Sequence, residues 1–346
     1  MGALTPQVLF DLETRMQIIT DREYARLNDN LWWQLVTKKR GSTGLRDIIM
    51  WLLSTAQIRD QGKGGNIHFE DLVTQYTTIE NKFSGAGLKL SRAQLEDTDG
   101  GGMELAAQWS ADIGAYMSYW PQKQVAHLLK NGHTAGFYNS YDLLPYFSAA
   151  HPYNPFNEGA GTFNNVLTGA SSGAYPGACP IHDGITADVA FANLSKVFAY
   201  IASIKMPNGE DPRLLRPKWI FASPRQFPRA VQLTNAKFLA AAATGGGAAP
   251  ADIEAVVKAL GFAQPIQVDE LAGFEDDTTY FVAVETLATS QLGAVIYTER
   301  EPYRINYYGT VDQAQLGRAQ ELEWQCHGRN VISAGHPFLL FKVKAS

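Results

Sequence analysis

The sequence predicts an α+β protein in which extended segments and helices follow one another in blocks. An extended run at residues 62–92 is rich in β-branched and aromatic residues and is bounded by closely spaced glycines. A long helix with an apolar stripe follows this run, and apolar residues alternate through the C-terminal block. These three observations favour sheets that pack against a long helix.

Composition limits what the chain can be. Its 346 residues, 45% of them hydrophobic, are enough for two or more domains with cores of their own. The formal net charge of -5, with acidic and basic residues scattered, leaves no basic patch for tight nucleic-acid binding. No secretory start and no run of 18 apolar residues is present, so we expect a soluble, unexported protein without membrane partners.

The first 60 residues are predicted to form an arm with short helices at 27–35 and 45–58. Their tryptophans, isoleucines and leucines make the arm too apolar for a solvated tail. We therefore expect it to pack on the extended run, on the long helix or on a neighbouring molecule.

The extended run at residues 62–92 is predicted to be a two-stranded ribbon. Such a ribbon is marginally stable alone, so it must lie on its own domain or on another subunit. The glycines at 64, 65, 85 and 87 would permit changes of backbone angle within it.

The helix that follows begins near Met103. Pro121 disfavours helical geometry at Trp120, so the sequence predicts a break there and a second helix at 122–131 that ends at Gly132. Its apolar stripe, spaced by three and four residues, comprises Trp109, Ile113, Tyr116, Met117 and Trp120.

The second half of the chain starts with a loop-rich segment that contains one strand at 143–147. After it, amphipathic periodicity predicts a helix at 187–204 with a stripe that includes Val189, and Ser223-Pro224 is predicted to open a helix after a buried strand at 218–222. The other predicted elements are a helix at 251–260 and strands at 280–284, 293–297, 303–308 and within 321–344, the last of which closes at 338–343.

One motif raises the possibility of catalysis. Residues 169–173 fit the G-x-S-x-G pattern, but a nucleophile elbow needs a strand before the serine and a helix after it. Tyr175-Pro176-Gly177 follows instead, which favours a loop. A hydrolase built around Ser171 stays as a minor alternative.

The other candidate chemistries also favour structural roles. The glycine triplets at 100–102 and 245–247 lack the lysine and hydroxyl of a phosphate-binding loop. The acidic start at 97–99 lacks the later glutamate of a calcium loop and suits a helix N-terminus. The seven histidines show no zinc spacing, and Cys179 and Cys326 are far apart and expected to be reduced. We predict no catalytic set, no metal site and no cofactor.

A family resemblance becomes specific where several segments occur in one order. The segments are YTTIENKF, LSRAQLEDTDGG, HLLKNG, YDLLPYFSAAHP and NVLTG, followed by RLLRPKWIFASPRQF and EWQCHGRNVISAGHPFLLFKV. Together they resemble the major head subunit of Mu-type phages, a branch of the Hong Kong 97-type capsid proteins. The resemblance spans residues 70 to 346 and rests on the order of many short matches.

The resemblance implies a domain plan. Residues 1–60 would be an N-terminal arm, and 61–95 an extended loop. Residues 96–184 and 300–346 would form a peripheral domain around the long spine helix, and 185–299 an axial domain. Tyr76 to Phe83 would belong to the loop, and the proline-containing helix region to the spine.

The resemblance also implies a function without enzymatic activity. The chain would self-assemble, as hexamers and pentamers, into the icosahedral head shell of a tailed phage that encloses double-stranded DNA without binding it specifically. Assembly would take place in the host cytoplasm, with portal, scaffold and possibly decoration proteins as partners. The loop residues expected to contact other subunits are Lys63, Phe69, Tyr76, Ile79, Lys82 and Phe83. The spine-helix core would comprise Trp109, Ile113, Tyr116 and Met117, packed on the C-terminal strands around Trp324, Val331 and 338–343.

Two further possibilities stay open at this point. A bacterial encapsulin-type compartment shares the implied fold, although the Mu-like segments favour a virus. Some relatives join a loop lysine covalently to a neighbour, and Lys63, Lys82 and Lys89 are available here, but no matching residue supports such a bond.

Overall fold

The computed structural model describes residues 6–28, 31–52, 74–91, 93–94, 101–235, 238–239, 251–252, 263–285, 293–308 and 321–345. Within these ranges the α-helices are α1 (Pro6–Asn28), α2 (Gly101–Asn131), α3 (Ala187–Ala202) and α4 (Phe227–Asn235). Short 3₁₀ helices lie at Trp32–Leu35, Glu158–Ala160, Asp269–Leu271, Phe274–Asp277 and Pro337–Leu339. No described helix is both long enough and apolar enough to span a membrane.

The strands fall into two larger sheets and three small ones. They are β1 (Thr37–Gly41), β2 (Arg46–Leu52), β3 (Thr74–Glu80), β4 (Lys82–Ser91), β5 (His151–Pro152), β6 (Thr162–Phe163), β7 (Val166–Leu167), β8 (Pro217–Ala222), β9 (Phe238–Leu239), β10 (Ala251–Asp252), β11 (Gln264–Gln267), β12 (Tyr280–Val284), β13 (Val295–Tyr308), β14 (Glu321–Ala334) and β15 (Leu340–Val343).

The four-stranded sheet has the order β1-β13-β14-β4. Its centre is the antiparallel pair of β13 and β14, two strands of 14 residues each. Buried and less buried residues alternate along β14, as a sheet with one covered face requires. The buried side chains Leu322, Trp324 and Cys326 face α2, which packs across this sheet.

The five-stranded sheet has the order β11-β8-β12-β15-β7 and forms the largest core with α3 and the C-terminal half of α2. Every residue of β12 and of β15 is buried. This complete burial explains why β12 is a continuous apolar run. In β15, Lys342 is buried and its ammonium lies 2.7 Å from a carboxylate oxygen of Glu275.

The N-terminal helix α1 packs along α2. Leu12 and Met16 are buried beside Ala106, and the Thr20 hydroxyl donates to the Ser110 carbonyl at 3.1 Å. At Gly114 the helices approach so closely that a Cβ would lie 2.6 Å from the Thr20 carbonyl oxygen. Small residues on α2 therefore allow this contact.

The helix predicted at 27–35 is correct only for the end of α1 and for the 3₁₀ helix Trp32–Leu35, and the helix predicted at 45–58 is wrong. A single helix of 23 residues occupies Pro6–Asn28, and the predicted helix at 45–58 is the strand β2 over its described part. Ile49 and Trp51 are buried, whereas Ile48, Met50 and Leu52 are exposed, which is the period of a strand. An uninterrupted apolar run fits either period, so its sequence does not decide between them.

The predicted ribbon has a different partner. β3 pairs antiparallel with β2, and β4 pairs antiparallel with β14 of the four-stranded sheet. The two predicted halves of the ribbon therefore belong to different sheets and meet at the single residue Asn81. The ribbon that exists is β2 with β3, and residues 53–73 between them lie outside the described residues.

The predicted break at Pro121 is also wrong, because α2 runs continuously from Gly101 to Asn131. Proline removes one backbone donor and costs roughly 3 kcal/mol inside a helix. Packing on both sides of Pro121 outweighs that cost, since Met117 is buried against Cys326 and Leu128 lies in the largest core. The predicted end is confirmed: the Gly132 amide donates to the Leu128 carbonyl at 2.7 Å.

Three other predictions need correction. Residues 143–147 form turns and one isolated bridge instead of a strand, with Leu143 at a φ of 65°. The strands predicted at 293–297 and 303–308 are parts of one strand, β13. The helix predicted at 251–260 starts with two residues of a small sheet, β10, and its remainder lies outside the described residues.

The C-terminal strand lies in a different place from the one predicted. Residues 337–339 form a 3₁₀ turn, and β15 enters the five-stranded sheet between β12 and β7. It therefore packs on the C-terminal half of α2 instead of the stripe from Trp109 to Met117. The helix predicted at 187–204 is confirmed as α3, although Val189 of its predicted stripe is 46% exposed.

Candidate intersubunit surfaces

The ribbon of β2 and β3 has one face buried against its own chain. Its register runs from Arg46 opposite Glu80 to Leu52 opposite Thr74. The buried face packs on Tyr141 of a loop and Ile296 of β13, and comprises Ile49, Trp51 and Ile79. The ribbon therefore has a fixed base on the subunit that carries it.

The opposite face of the ribbon is exposed and apolar. Ile48, Met50 and Leu52 are between 57% and 67% exposed, and Tyr76, opposite Met50, is 67% exposed. Single exposed apolar side chains are common on protein surfaces, but here four large ones lie together on one face. Contiguous apolar surface of this kind marks an interaction site.

The corner between the ribbon and the four-stranded sheet is held by Asn81, which is buried. Its side-chain amide nitrogen lies 2.7 Å from the Ser42 hydroxyl, 3.1 Å from the Gly44 carbonyl and 2.9 Å from the Asp47 carboxylate. Its backbone amide donates to Leu45 at 2.9 Å. These bonds tie the start of β2 to the end of β3 at one point.

A groove of about 750 Å³ lies beside the ribbon, bounded by β3, β4, the C-terminal end of β14 and α2. Its rim carries Phe83, Phe137 and Leu143, which are each more than 60% exposed. Leu143 has a φ of 65°, a conformation that costs a residue with a side chain of order 1–3 kcal/mol. An exposed leucine in that conformation is a second sign of a binding surface.

The predicted loop residues fall into three groups. Tyr76, Lys82 and Phe83 are exposed beside the groove, and their contacts with another subunit stay a prediction. Ile79 is only 8% exposed and packs inside its own chain, so the prediction of an intersubunit contact is wrong in this conformation. Lys63 and Phe69 lie outside the described residues.

Phe83 belongs to a small aromatic and cationic stack on the sheet. Its ring is stacked on His327, with ring centroids 5.4 Å apart, and the guanidinium of Arg329 lies 5.7 Å from its centroid. The stack fixes an exposed ring in place, which lowers the entropy that a partner would have to remove on binding.

The predicted core of the long helix is correct in part. Ile113 and Met117 are buried against Cys326, and Trp109 is partly buried between this cluster and that of Trp324. Tyr116 is 43% exposed and lies 5.8 Å from Trp120, centroid to centroid, so its assignment to the core is wrong. The stripe is narrower than its spacing suggests because α1 and the sheet cover only part of the helix.

Sequence reasoning missed the exposed residues Ile48, Met50 and Leu52. The sequence predicts a helix of the arm here, and no local signal distinguishes these side chains from the buried Ile49 and Trp51. Their exposure follows from pairing with β3, a contact distant in sequence.

The motif at residues 169–173 shows no catalytic geometry. Ser171 and Ser172 are exposed, and Ser172 forms a tight turn with Tyr175 through backbone hydrogen bonds of 3.0 and 2.9 Å. The motif is not followed by a helix that could orient a nucleophile. In the described part of the chain, no three histidine, cysteine or acidic side chains come together to hold a metal ion.

Comparison with known proteins identifies a family and solved structures that this chain resembles. Residues 16–176 match the family described as the Mu-like prophage major head subunit gpT. This region, which is less than half of the chain, is similar to that family. It contains the ribbon, β4 and all of α2, and so most of the surfaces described above. No curated protein sequence matches the chain.

Solved phage capsids are similar in fold to 90% or more of this chain. The procapsid of bacteriophage JBD30 superposes with a TM-score of 0.51 at 15% identity, covering 99% of this chain and 77% of that chain. The capsid of cyanophage P-SCSP1u gives 0.53 at 12%, covering 91% and 88%. The capsid of Myoviridae phage XM1 gives 0.51 at 8%, covering 90% of each.

The family match and the structural matches are both to phage capsid proteins. The predicted α+β Hong Kong 97-like capsid fold is confirmed. The match at residues 16–176 supports the prediction of a phage major capsid protein. The limits of the arm, loop, peripheral and axial domains stay a prediction.

Proposed function

We propose that copies of this chain close into the icosahedral head shell of a tailed double-stranded DNA phage through the apolar outer face of the ribbon. The observation that carries the proposal is that Ile48, Met50, Leu52 and Tyr76 are all more than half exposed on one side of a ribbon whose other side is buried. Burial of one such side chain is worth roughly 1.5–3 kcal/mol. A neighbouring copy would supply that burial.

The groove beside the ribbon is the surface that we propose as the receiving site. Its exposed rim of Phe83, Phe137 and Leu143 is apolar, as the ribbon face is. Ile48, Met50 and Leu52 of the ribbon face lie outside the groove, so the contact is heterologous. Such contacts close into rings when the rotation between copies is right. Rings of five and six copies would then build the shell.

The shell would enclose the genome without gripping it. The net charge of -5 gives no excess of cations to neutralise many phosphates, so packed DNA could slide during filling. We propose a structural role without enzymatic activity, assembly in the host cytoplasm, and portal, scaffold and possibly decoration proteins as further partners. The exposed turn at Ser171 supports this role over a hydrolase, and the Mu-like region at 16–176 favours a virus over an encapsulin-type compartment.

The test replaces the exposed ribbon face with polar side chains. The triple variant Ile48→Ser, Met50→Ser, Leu52→Ser should give a folded subunit that no longer forms shells, because the replaced side chains contact nothing in the described part of their own subunit's core. Electron microscopy and light scattering report the shells, and circular dichroism reports the fold.

The matched control is Phe156→Ser, which removes a 62% exposed aromatic side chain from a loop outside the groove. It should assemble as the unmodified protein does. Normal shells from the triple variant would refute the role of the ribbon face, and small uniform particles from the unmodified protein would refute the shell itself.

A further inference from the structure

A small pocket of about 70 Å³ lies away from the ribbon, near the start of α4. Its wall is formed by residues 182–184, by Arg225 and Gln226, and by residues 276–278 of the turn before β12. None of these residues takes part in the ribbon, the groove or the packing of α2. The pocket therefore calls for an explanation of its own.

The turn that carries the acidic wall has an unusual backbone. Three consecutive residues with side chains, Glu275, Asp276 and Asp277, have φ values of 47°, 56° and 57°. Such residues rarely adopt positive φ, and a run of three persists only where contacts impose it.

The contacts that impose the turn come from its two outer acids. Glu275 lies 2.7 Å from the Lys342 ammonium and accepts from the Thr279 hydroxyl at 2.5 Å, and the Asp277 carboxylate accepts from the Gly273 amide at 3.0 Å. Among the described residues the carboxylate of Asp276 has neither a hydrogen bond nor an ion pair. The turn thus holds Asp276 exposed at the mouth of the pocket, without an ion pair among the described residues.

Gln226 supplies an independent observation that points to a ligand at this pocket. It is 2% exposed, and neither its amide oxygen nor its amide nitrogen has a hydrogen-bond partner in the described part of the chain. An unpaired buried amide costs of order 1–3 kcal/mol in proteins. A group that enters the pocket and donates to the Gln226 oxygen would remove much of that penalty.

The charges of the pocket wall indicate the chemistry of a ligand that would bind there. Asp183, Asp276 and Asp277 contribute three negative charges and Arg225 one positive charge, and no ion pair joins Arg225 to any of them. These acids do not form a cluster that could ligate one metal ion. A guanidinium carries five donors in a planar fork and reaches acceptors that are too far apart for a single ion.

We propose that this pocket receives one arginine side chain from a neighbouring copy of the chain. The inference rests on the proposed shell, since the shell is what brings a second copy to this face. The guanidinium would lie between Asp276 and Asp183 and donate to the buried oxygen of Gln226. It would give the copies a polar contact that fixes their register, beside the apolar contact of ribbon and groove.

The first test uses methylguanidinium as a probe on isolated subunits. Calorimetry or NMR titration should show binding to the unmodified subunit, weakened about tenfold in Asp276→Asn, because one charge-assisted bond is lost. Asparagine tolerates positive φ, so the turn should be retained. Glu158→Gln, which removes the same charge from an exposed site elsewhere, should bind as the unmodified subunit does.

The second test is assembly followed by light scattering. Methylguanidinium should slow assembly of the unmodified protein more than sodium chloride does at equal ionic strength, and should add nothing to the slower assembly of Asp276→Asn. Equal inhibition by both salts, or assembly of Asp276→Asn at the normal rate, would overturn the proposal. So would calcium binding that is lost in Asp276→Asn, because the pocket would then hold a metal ion.

The two proposals fail in different ways. If the unmodified protein forms no shells, the proposed function fails, and the pocket is still judged by the titration of isolated subunits. If shells form but methylguanidinium does not bind, the arginine pocket fails alone.

Discussion

The indole of Trp51 on the ribbon meets the imidazole of His336 edge-on, with ring centroids 4.9 Å apart and planes at 74°. On its other side His336 stacks on Phe338, centroid to centroid 4.6 Å. Enclosure by these rings, together with the nearby Arg213, lowers the pKa of His336 from its ordinary 6.5 to about 3. The base of the ribbon thus rests on a histidine that is neutral when folded.

Acidification should therefore weaken the base of the ribbon. Above pH 6.5 the imidazole is neutral in both states, whereas between pH 6.5 and about 3 the unfolded chain binds a proton that the folded chain does not. Stability should fall as the pH falls through that window and lose nothing more from this group below it. Thermal unfolding of subunits at pH 7 and pH 4.5 should show the loss, and His336→Phe should make it smaller. The exposed His127→Gln should leave it unchanged; an unaltered pH dependence in His336→Phe would refute the assignment.

Substitutions on the two opposite faces of β3 should have different effects. Ile79→Ala removes a side chain buried against Ile49 and Trp51 and should lower subunit stability by roughly 2–4 kcal/mol. Tyr76→Ala removes a 67% exposed ring and should leave stability within about 0.5 kcal/mol while reducing shell formation. Denaturant unfolding and electron microscopy of the same two preparations separate the effects. The reverse ranking would mean that the two faces of the ribbon are exchanged.

Gly114→Ala should destabilise the subunit although alanine is the better helix former by about 1 kcal/mol. The added Cβ would lie 2.6 Å from the Thr20 carbonyl, so α1 must move away from α2. Limited proteolysis should then cut α1 faster, and the melting temperature should fall. Asp112→Ala, on the exposed side of the same helix turn, should do neither. If Gly114→Ala were more stable than the unmodified subunit, α1 would be able to move away from α2 without loss of stability.

The long helix allows a comparison of a buried and an exposed position. Ile113→Ala should cost roughly 2–4 kcal/mol, because Ile113 is 8% exposed and packs near Cys326. Tyr116→Ala should cost less than half as much, since its ring is 43% exposed. Chemical unfolding of the two subunits gives both values, and equal losses would restore Tyr116 to the core.

Isolated subunits should not hold DNA. With a net charge of -5, they should retain duplex DNA no better than a neutral control protein at ~150 mM salt. Filter binding or fluorescence anisotropy measures this directly. Sub-micromolar binding at that salt concentration would contradict the proposal that the shell encloses DNA without binding it tightly.

The sequence was sufficient where the period was unambiguous. Alternation through Leu322 and Trp324 predicts the strand β14, and both side chains are buried, whereas Val331, predicted with them, is only partly buried and packs with Ile49, Trp51 and Ile79. The stripe of Leu194, Val197 and Ile201 correctly predicts α3. The order of the short matching segments indicated the capsid fold, which no single element specifies.

The sequence was insufficient where contacts distant along the chain decide the outcome. The run from 48 to 52 forms a strand because β3 pairs with it, and Ile79 is buried because Tyr141 and Ile296 cover it. Pro121 stayed helical because both flanks are packed, a balance of about 3 kcal/mol that local propensity cannot reveal. The pocket at Gln226 had no sequence signal, since it depends on the left-handed turn at 275–277.

The ribbon extends from the four-stranded sheet at a single residue, Asn81, which joins β3 to β4. β3 has seven residues, so at about 3.3 Å per residue Thr74 lies roughly 20 Å from the corner. A rotation of about 10° at Asn81 would carry that end sideways by about 3–4 Å, close to the ~4.8 Å spacing of neighbouring strands. The packing of Ile49, Trp51 and Ile79 on Tyr141 and Ile296 resists such a rotation, so the far end of β3 keeps one position relative to its own subunit.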